Sequence, residues 1–440
     1  TSGQIEINAE IEKDLSNKYP MHRLLQGEVG SGKTVVALRA MLSVVDSSGQ
    51  AALLAPTEVL AQQHYRTITQ LLGKLAQAGT LEASDIGTKV ELLTGSLTAA
   101  TKKEIHAKLA SGQTGIVIGT HALISDGVAF NDLGLVIVDE QHRFGVEQRL
   151  ALRKKGQLDK VIEPHQLMMS ATPIPRTLSM SYFADLDVSI IDELPPGRKP
   201  IKTLHFTDGG RLRVFGFMRD QIALGRQVYV VYPLIEESEK LVAKAASAEY
   251  EKWHELLAPA TVGLVHGRLD AESKDAVMRD FRSGKISVLV ATTVIEVGVD
   301  VPNATIMLIE DAARFGLSQM HQLRGRIGRG AAKSYCILLH SGAADANLEK
   351  LQVLEKTSNG FDIAEADLLL RGPGDILGTE QTGMPSLGLG DLLRDAEIMT
   401  AARKAAQDLL VRDPELLDPE HSHLRAYLAK NEPQQDSVSG

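Results

Sequence analysis

Cysteine is almost missing from this chain of 440 residues, with a single example, Cys336, inside the apolar run Tyr335-Cys336-Ile337-Leu338-Leu339. That scarcity excludes a disulfide framework and any zinc site built on paired Cys/His spacing, and it fits a reducing compartment such as the cytoplasm. Cys336 itself reads as a small buried hydrophobe. Aromatics make up only 4% of the chain, and the one tryptophan, Trp253, is assigned to packing. No apolar run approaches the roughly 20 residues of a membrane-spanning helix, and no signal peptide is visible, so no membrane partner is expected. Positive charge is not in excess: 47 Lys and Arg against 56 Asp and Glu give a formal net charge of −9. Any nucleic-acid surface must therefore be a local patch on an acidic body. The chain begins with Thr1 rather than Met, which reads as a fragment or a processed product.

What is present is an ordinary globular composition, 43% hydrophobic and 23% charged, on a length that suggests two to three domains. The most informative stretch is Gly27-Glu28-Val29-Gly30-Ser31-Gly32-Lys33-Thr34, which fits G-x-x-x-x-G-K-[ST]. A short strand-like run (Met21 to Gln26) precedes it and a helical pattern from Val35 follows. Strand, glycine loop and helix N-terminus in that order make an anion site, with backbone N–H groups and the helix dipole favouring phosphate. In such a loop Lys33 sits on the β- and γ-phosphates and Thr34 places its hydroxyl on Mg²⁺. A nucleoside triphosphate with Mg²⁺ is the expected ligand.

Short apolar runs then recur: Gln50 to Pro56, Val90 to Leu93, Gly115 to Ile118, Leu133 to Val138 and Gln166 to Met169. Helical stretches separate them, among them one from 5 to 20 and one starting at Glu58 with Thr57 as its N-cap. This alternation predicts a parallel sheet covered on both faces. Ligands bind beyond the carboxyl ends of such strands, and polar clusters stand at those ends: Thr94-Gly95, Gly119-Thr120-His121, Asp139-Glu140-Gln141-His142 and Ser170-Ala171-Thr172. Leu194 to Pro200 reads as a linker. A second series of strands, Ile201–Phe206, Gln227–Pro233, Thr261–His266, Ser287–Thr293, Ala304–Glu310 and Ser334–His340, follows without a phosphate loop. Helices are expected over 240–257, 343–357 and 391–410. The resulting division is 1–195, 196–342 and a helical region 343–440.

At the end of a buried strand, Asp139 suits a carboxylate on Mg²⁺ and Glu140 a group that orients or deprotonates the attacking water. Gln322 to Gly330 carries Arg324, Arg326 and Arg329 among three glycines. Three residues apart on one helical turn, Arg326 and Arg329 would share a face and could reach a γ-phosphoryl group from the second domain. Outside such a cleft the same segment is a basic surface turn.

The ordered set resembles the superfamily 2 helicases over roughly residues 1 to 340. Gly27–Thr34 resembles motif I, Ala55-Pro56-Thr57-Glu58 motif Ia, Asp139–His142 motif II, Ser170–Thr172 motif III, Ala291–Asp300 motif V and Gln322–Arg329 motif VI. Asp139-Glu140-Gln141-His142-Arg143-Phe144-Gly145-Val146 is most similar to the RecG branch. Ala171 to Thr177, and Phe361 to Gly383 with Arg371 and Gln381, are shared with the transcription-repair coupling translocases. Glu380 stands where many RecG sequences have a basic residue.

The resemblance implies two RecA-like parallel-sheet motor domains in tandem, followed by a helical hairpin and a coupling loop, and it makes the triphosphate ATP. It implies that Gln4 reads adenine, although that residue fits equally a solvent-exposed helix end, and that Asp300 contacts the ribose or couples the domains. Thr57, Thr94, Gly95, Thr120, His121, His266, Arg268 and Thr292 would face DNA phosphates, positioning without reading sequence. His266-Gly267-Arg268 fits a structural turn as well. The expected activity is ATP-driven movement on duplex DNA and remodelling of branched DNA, such as stalled forks and Holliday junctions. Relatives of this branch split strands with an N-terminal wedge domain that this sequence does not contain, so most branch selectivity is expected to be lost from this chain alone. A transcription-repair coupling translocase, disfavoured by Gln141 and Ser31, and a nucleotide-gated clamp, disfavoured by Glu140, are the alternatives.

Overall fold

The computed structural model describes residues 1–76, 87–125, 127–140, 144, 163–170, 186–193, 199–233, 239–267, 269–292, 301–330, 332–342, 345–371 and 395–431. Of the sequence expectations, Gln141–Arg143, Ala171–Thr177, Arg268, Thr293–Asp300, Gln381 and most of the linker fall outside these residues, as does the side chain of Arg371.

The first sheet is entered through α1 (Ser2–Leu15). It contains β1 (His22–Gly27), β2 (Gln50–Leu54), β3 (Val90–Leu93), β4 (Ile116–Gly119), β5 (Leu133–Asp139), β6 (His165–Ser170) and β7 (Asp187–Ile191). Between them lie α2 (Lys33–Asp46), α3 (Glu58–Leu72) and α4 (Ala99–Ala110). The strand order is β3-β4-β2-β5-β6-β1-β7, and every pairing is parallel. Central strands are buried along their length, as β2 and β4 are, because helices cover both faces. The edge strand β7 alternates between exposed and buried positions; with no continuous apolar run, it carries no strand signal of the kind that marks the others.

The second sheet holds β8 (Lys202–Thr207), β9 (Gln227–Tyr232), β10 (Val262–Val265), β11 (Val288–Thr292), β12 (Ala304–Ile309) and β13 (Tyr335–His340), in the order β10-β11-β9-β12-β13-β8. All its pairings are parallel. Its helices are α5 (Arg211–Ala223), α6 (Glu239–Leu257), α7 (Ala271–Arg282) and α8 (Leu317–Arg324). Asp270 is the N-cap that starts α7, its carboxylate accepting from the Ser273 N–H at 2.8 Å.

Taken in chain order, the two sheets have the same winding: β8 to β13 occupy the places of β1 to β6. The likeness extends to a buried glutamine at the start of the second strand in each. Gln50 Nε2 donates to Leu109 O at 3.0 Å and Thr114 O at 2.7 Å. Gln227 Nε2 donates to Phe281 O and to Ile286 O. The first amide closes the turn between α4 and β4, the second the turn between α7 and β11. Both add a side-chain donor at a turn whose carbonyls are withdrawn from water; Leu109 O and Phe281 O also accept from backbone N–H groups.

Two further helices, α9 (Asp345–Lys356) and α10 (Gly360–Arg371), complete the second core: Leu351, Leu354 and Ile363 are buried in it with Met307, Leu323 and Cys336. The helical region expected from 343 is thus divided. One compact unit contains both sheets and runs through α10, whereas α11 (Ala396–Arg412) and α12 (Ser422–Asn431) belong to a second. Within that second unit Asp413 ties the helix connection together, accepting from the N–H groups of Leu417 and Asp418 at 2.8 and 2.9 Å and meeting His421 Nδ1 at 2.7 Å.

Trp253 is fully buried and donates to the Tyr232 hydroxyl at 2.7 Å. Cys336 is buried too, and loss of water pushes its thiol up to about 12, so it is not a nucleophile. Among the described residues, no helix is long and apolar enough to cross a membrane.

Candidate nucleotide site and nucleic-acid face

The phosphate loop leaves β1 at Gly27 and enters α2 at Lys33. A Cβ on Gly27 would lie 2.6 Å from Ser31 Oγ and 3.2 Å from Ile191 O, so a larger residue would displace the Ser31 side chain. Gly30 and Gly32 hold φ of 85° and 92°, in the left-handed region. Helix α1 is fixed over the loop from both ends. Arg23, on β1, reaches Asp14 at 2.7 Å and Glu10 at 2.9 Å, and Ile7 and Ile11 are buried beneath. At the other end Gln4 donates through Nε2 to Ser31 O at 2.8 Å. The alternative of a solvated helix-end residue does not hold: Gln4 is half-buried against the loop.

Lys33 Nζ donates to Gly27 O at 2.7 Å and to Glu28 O at 3.0 Å. Its withdrawal from water lowers the ammonium below its ordinary value, while the charges of Asp139, Glu140 and Glu28 oppose that loss. The Ser31 hydroxyl is buried without a partner. An ammonium folded back on loop carbonyls, an unused buried hydroxyl and a helix N-terminus with its first N–H groups outside the helical ladder form a donor set that fits a polyphosphate.

Asp139 ends β5 with its carboxylate buried, and His64 on α3 meets it: Nε2 to Oδ2 is 2.7 Å. Burial would raise the carboxyl, but the His64 hydrogen bond, the charges of His64 and Lys33 and the Glu140 N–H together hold it below the ordinary carboxylate range. Glu140 follows with φ of 50°, a left-handed backbone on a residue with a side chain, and its N–H donates to Asp139 Oδ1 at 3.0 Å. Strain of this kind costs on the order of 1–3 kcal/mol and clusters at functional sites.

The arginine segment departs from expectation. Helix α8 stops at Arg324, with Gly325 as its C-cap and Gly328 at φ 78°. Arg326 and Arg329 therefore do not lie on a shared helical face; they stand in the turn after it. Arg324 is buried and donates to Leu354 O at 2.8 Å, Thr357 O at 3.0 Å and Ser358 O at 3.2 Å, a structural clamp on the α9–α10 link. The turn faces the phosphate loop, because the Cβ position of Gly325 lies 3.7 Å from Val29 Cβ.

The nucleic-acid candidates of the first sheet form a row along its carboxyl edge. Thr94 follows β3, Thr120 follows β4 and Thr57 lies beyond β2, three adjacent strands on the side away from β1. Their side chains are less available than the sequence suggests. The Thr57 hydroxyl caps α3 by accepting from Leu60 N, Thr94 is buried with its hydroxyl on Ser96, and Thr120 is buried. Gly95 and His121 are exposed, the latter tilted against Phe144 at 5.6 Å between ring centres. In the second sheet Thr292 is buried with its hydroxyl unpartnered, and His266 is half-buried after β10.

Of the residues that position this site, His64 has no place among the sequence expectations, and Arg324 has a place in the arginine segment but no role of its own. For His64 a signal existed: it falls on the buried face of α3 with Ala61, Ile68 and Leu72, a polar residue among apolar ones.

Three family descriptions match the chain: DEAD/DEAH box helicase over residues 4–181, helicase conserved C-terminal domain over 214–331, and ATP-dependent DNA helicase RecG, domain 3, C-terminal, over 357–434. An ATP-dependent DNA helicase RecG from Synechocystis sp. is 50% identical over 417 residues, 94% of this chain and 48% of the relative. Over nearly all of its length the chain is similar to the RecG helicases. The RecG of Aquifex aeolicus is 49% identical over 423 residues, 94% of this chain and 51% of the relative. A solved structure of RecG bound to a three-way DNA junction superposes with a TM-score of 0.72 at 42% identity, covering 91% of this chain and 50% of that one. The chain spans about half the length of these RecG relatives. Their description as ATP-dependent makes RecG a nucleotide-using family.

Proposed function

We propose that this chain is an ATP-driven motor that moves on duplex DNA, independently of sequence, and contributes to the remodelling of branched DNA. The observation that carries the reading is the convergence at one edge of the first sheet: a phosphate loop, a carboxylate held ionised by a buried histidine, and the turn bearing Arg326 and Arg329 from the second sheet domain. Gly27 to Thr34 would hold the phosphates, with Lys33 exchanging its loop carbonyls for phosphate oxygens. Gln4 would hold the base. Thr34 and Asp139 would hold Mg²⁺, which when bound neutralises charge on the β- and γ-phosphates. Glu140 would orient the attacking water and accept its proton. Arg326 and Arg329 would stabilise the charge that spreads over the transferring group.

Residues 1–195 and 196–342 would be the two motor domains, and 343–440 would carry the coupling to DNA through Arg371 and Gln381. Asp300 would join the domains or meet the ribose. Gly95, His121, His266 and Arg268 would meet phosphates, together with backbone groups near Thr57, Thr94, Thr120 and Thr292; contacts of this type give strongly salt-dependent binding. The composition favours the cytoplasm.

Glu140→Gln tests the chemical assignment. It should retain nucleotide binding, read by a fluorescent ATP analogue, while hydrolysis falls by roughly 10²–10⁴. Hydrolysis at the unaltered rate would remove Glu140 from the mechanism.

A further inference from the structure

Glu28 has its backbone in the phosphate loop and its side chain in the second sheet domain. Its carbonyl accepts from Lys33 Nζ at 3.0 Å and from Ser31 N at 3.1 Å. Its carboxylate Oε1 accepts from the N–H of Gly360 at 3.0 Å, across 332 residues of sequence. The same oxygen lies 4.0 Å from His321 Nε2. His321 Nδ1 accepts from Arg324 Nη2 at 3.0 Å, which leaves the neutral ring's proton on Nε2, the nitrogen facing Glu28.

The other end of this contact is equally well defined. Gly360 is the first residue of α10, and the link before it is the one that Arg324 grips through Thr357 O and Ser358 O. A carboxylate at a helix N-terminus meets the positive end of the helix dipole. Helix α10 has 12 residues and so spans about 18 Å at 1.5 Å per residue, ending at Arg371. One side chain therefore connects the loop that would hold phosphates to the start of a rigid rod whose far end opens the coupling segment.

We infer that Glu28 is a positioning residue that transmits nucleotide occupancy to helix α10, through its hydrogen bond from the Gly360 N–H and its contact with His321. Phosphate competes with the Glu28 carbonyl for the Lys33 ammonium, so nucleotide binding alters the backbone that carries the Glu28 carboxylate. The inference rests on the reading that this loop binds ATP.

Hydrogen–deuterium exchange of the chain, with and without a non-hydrolysable ATP analogue, tests it. The far-side variant is Gly360→Pro, which removes the donor at the first helical position, where proline is tolerated, and leaves the loop sequence intact. Gly360→Ala retains the donor. In the native chain and in Gly360→Ala, the analogue should change exchange over 361–371 by roughly tenfold, the scale of one charge-assisted hydrogen bond. In Gly360→Pro that response should be lost, while the analogue still protects residues 27–36. An equal response over 361–371 in all three proteins, or none in the native chain despite protection of the loop, would overturn the inference. Failure of the analogue to protect the loop in the native chain would instead sink the ATP reading and this inference with it.

Discussion

His64 is the side chain on which the state of Asp139 depends. The folded carboxyl is depressed, so it binds its proton less readily than in the unfolded chain. Its stabilising contribution is then fully present above the ordinary carboxylate range and is lost as pH falls through the lower, folded value. His64→Ala should lower stability by about 1.5–3 kcal/mol at neutral pH, the scale of a hydrogen bond to a charged group, and should flatten the acid limb of a urea-midpoint-against-pH curve. An unchanged acid limb would mean that His64 does not hold the carboxylate. The loop and Asp139 were legible because their chemistry is local: glycines, a lysine and a threonine in one run, and acids directly after an apolar strand. The pairing of His64 with Asp139 was not, because the two meet across 75 residues of sequence, and only the adjacency of β2 and β5 brings α3 beside that strand end.

Burial patterns made most of the strands readable, since a run buried on both faces must be continuously apolar. β7 escaped because an edge strand needs only every second residue buried. The end of α8 was misread for a different reason: arginine spacing suggested a helical face, but glycines at 325 and 328 stop the helix before the second and third arginines. The paired glutamines show how strongly the two sheet domains are tied at equivalent turns. Gln50→Leu keeps the volume but removes one donor from Leu109 O, the side-chain donor from Thr114 O and the acceptor of the Asp132 N–H, which donates to Gln50 Oε1 at 2.9 Å. It should destabilise the chain by about 2–3 kcal/mol, read as a lower denaturation midpoint. A loss below about 0.5 kcal/mol, the range of an ordinary surface change, would show that the turn satisfies itself without the amide.

The duplication of the winding also explains why only one domain carries the loop chemistry. Where α2 begins with Lys33 and β5 ends with Asp139, α5 begins with Arg211 and β12 is followed directly by Glu310. Arg211 and Glu310 pair at 2.7 Å and close the equivalent place with a salt bridge. On the proposed reading the first domain keeps its cation and carboxylate for a ligand, and the second contributes a turn with two arginines from outside. For the motor as a whole, Arg371→Ala should leave ATP hydrolysis without DNA unchanged and abolish movement along duplex, read by displacement of a bound triplex strand. Equal loss of both would mean that α10 had lost its packing.

The most direct measurement is the ATPase rate of this chain with no DNA, with plain duplex and with a model fork, in matched salt. A sequence-independent duplex motor predicts stimulation by duplex, with the fork giving a similar, modest increase and Lys33→Ala silent throughout. A rate indifferent to DNA would contradict the account, because the site would then hydrolyse ATP without a track to move on.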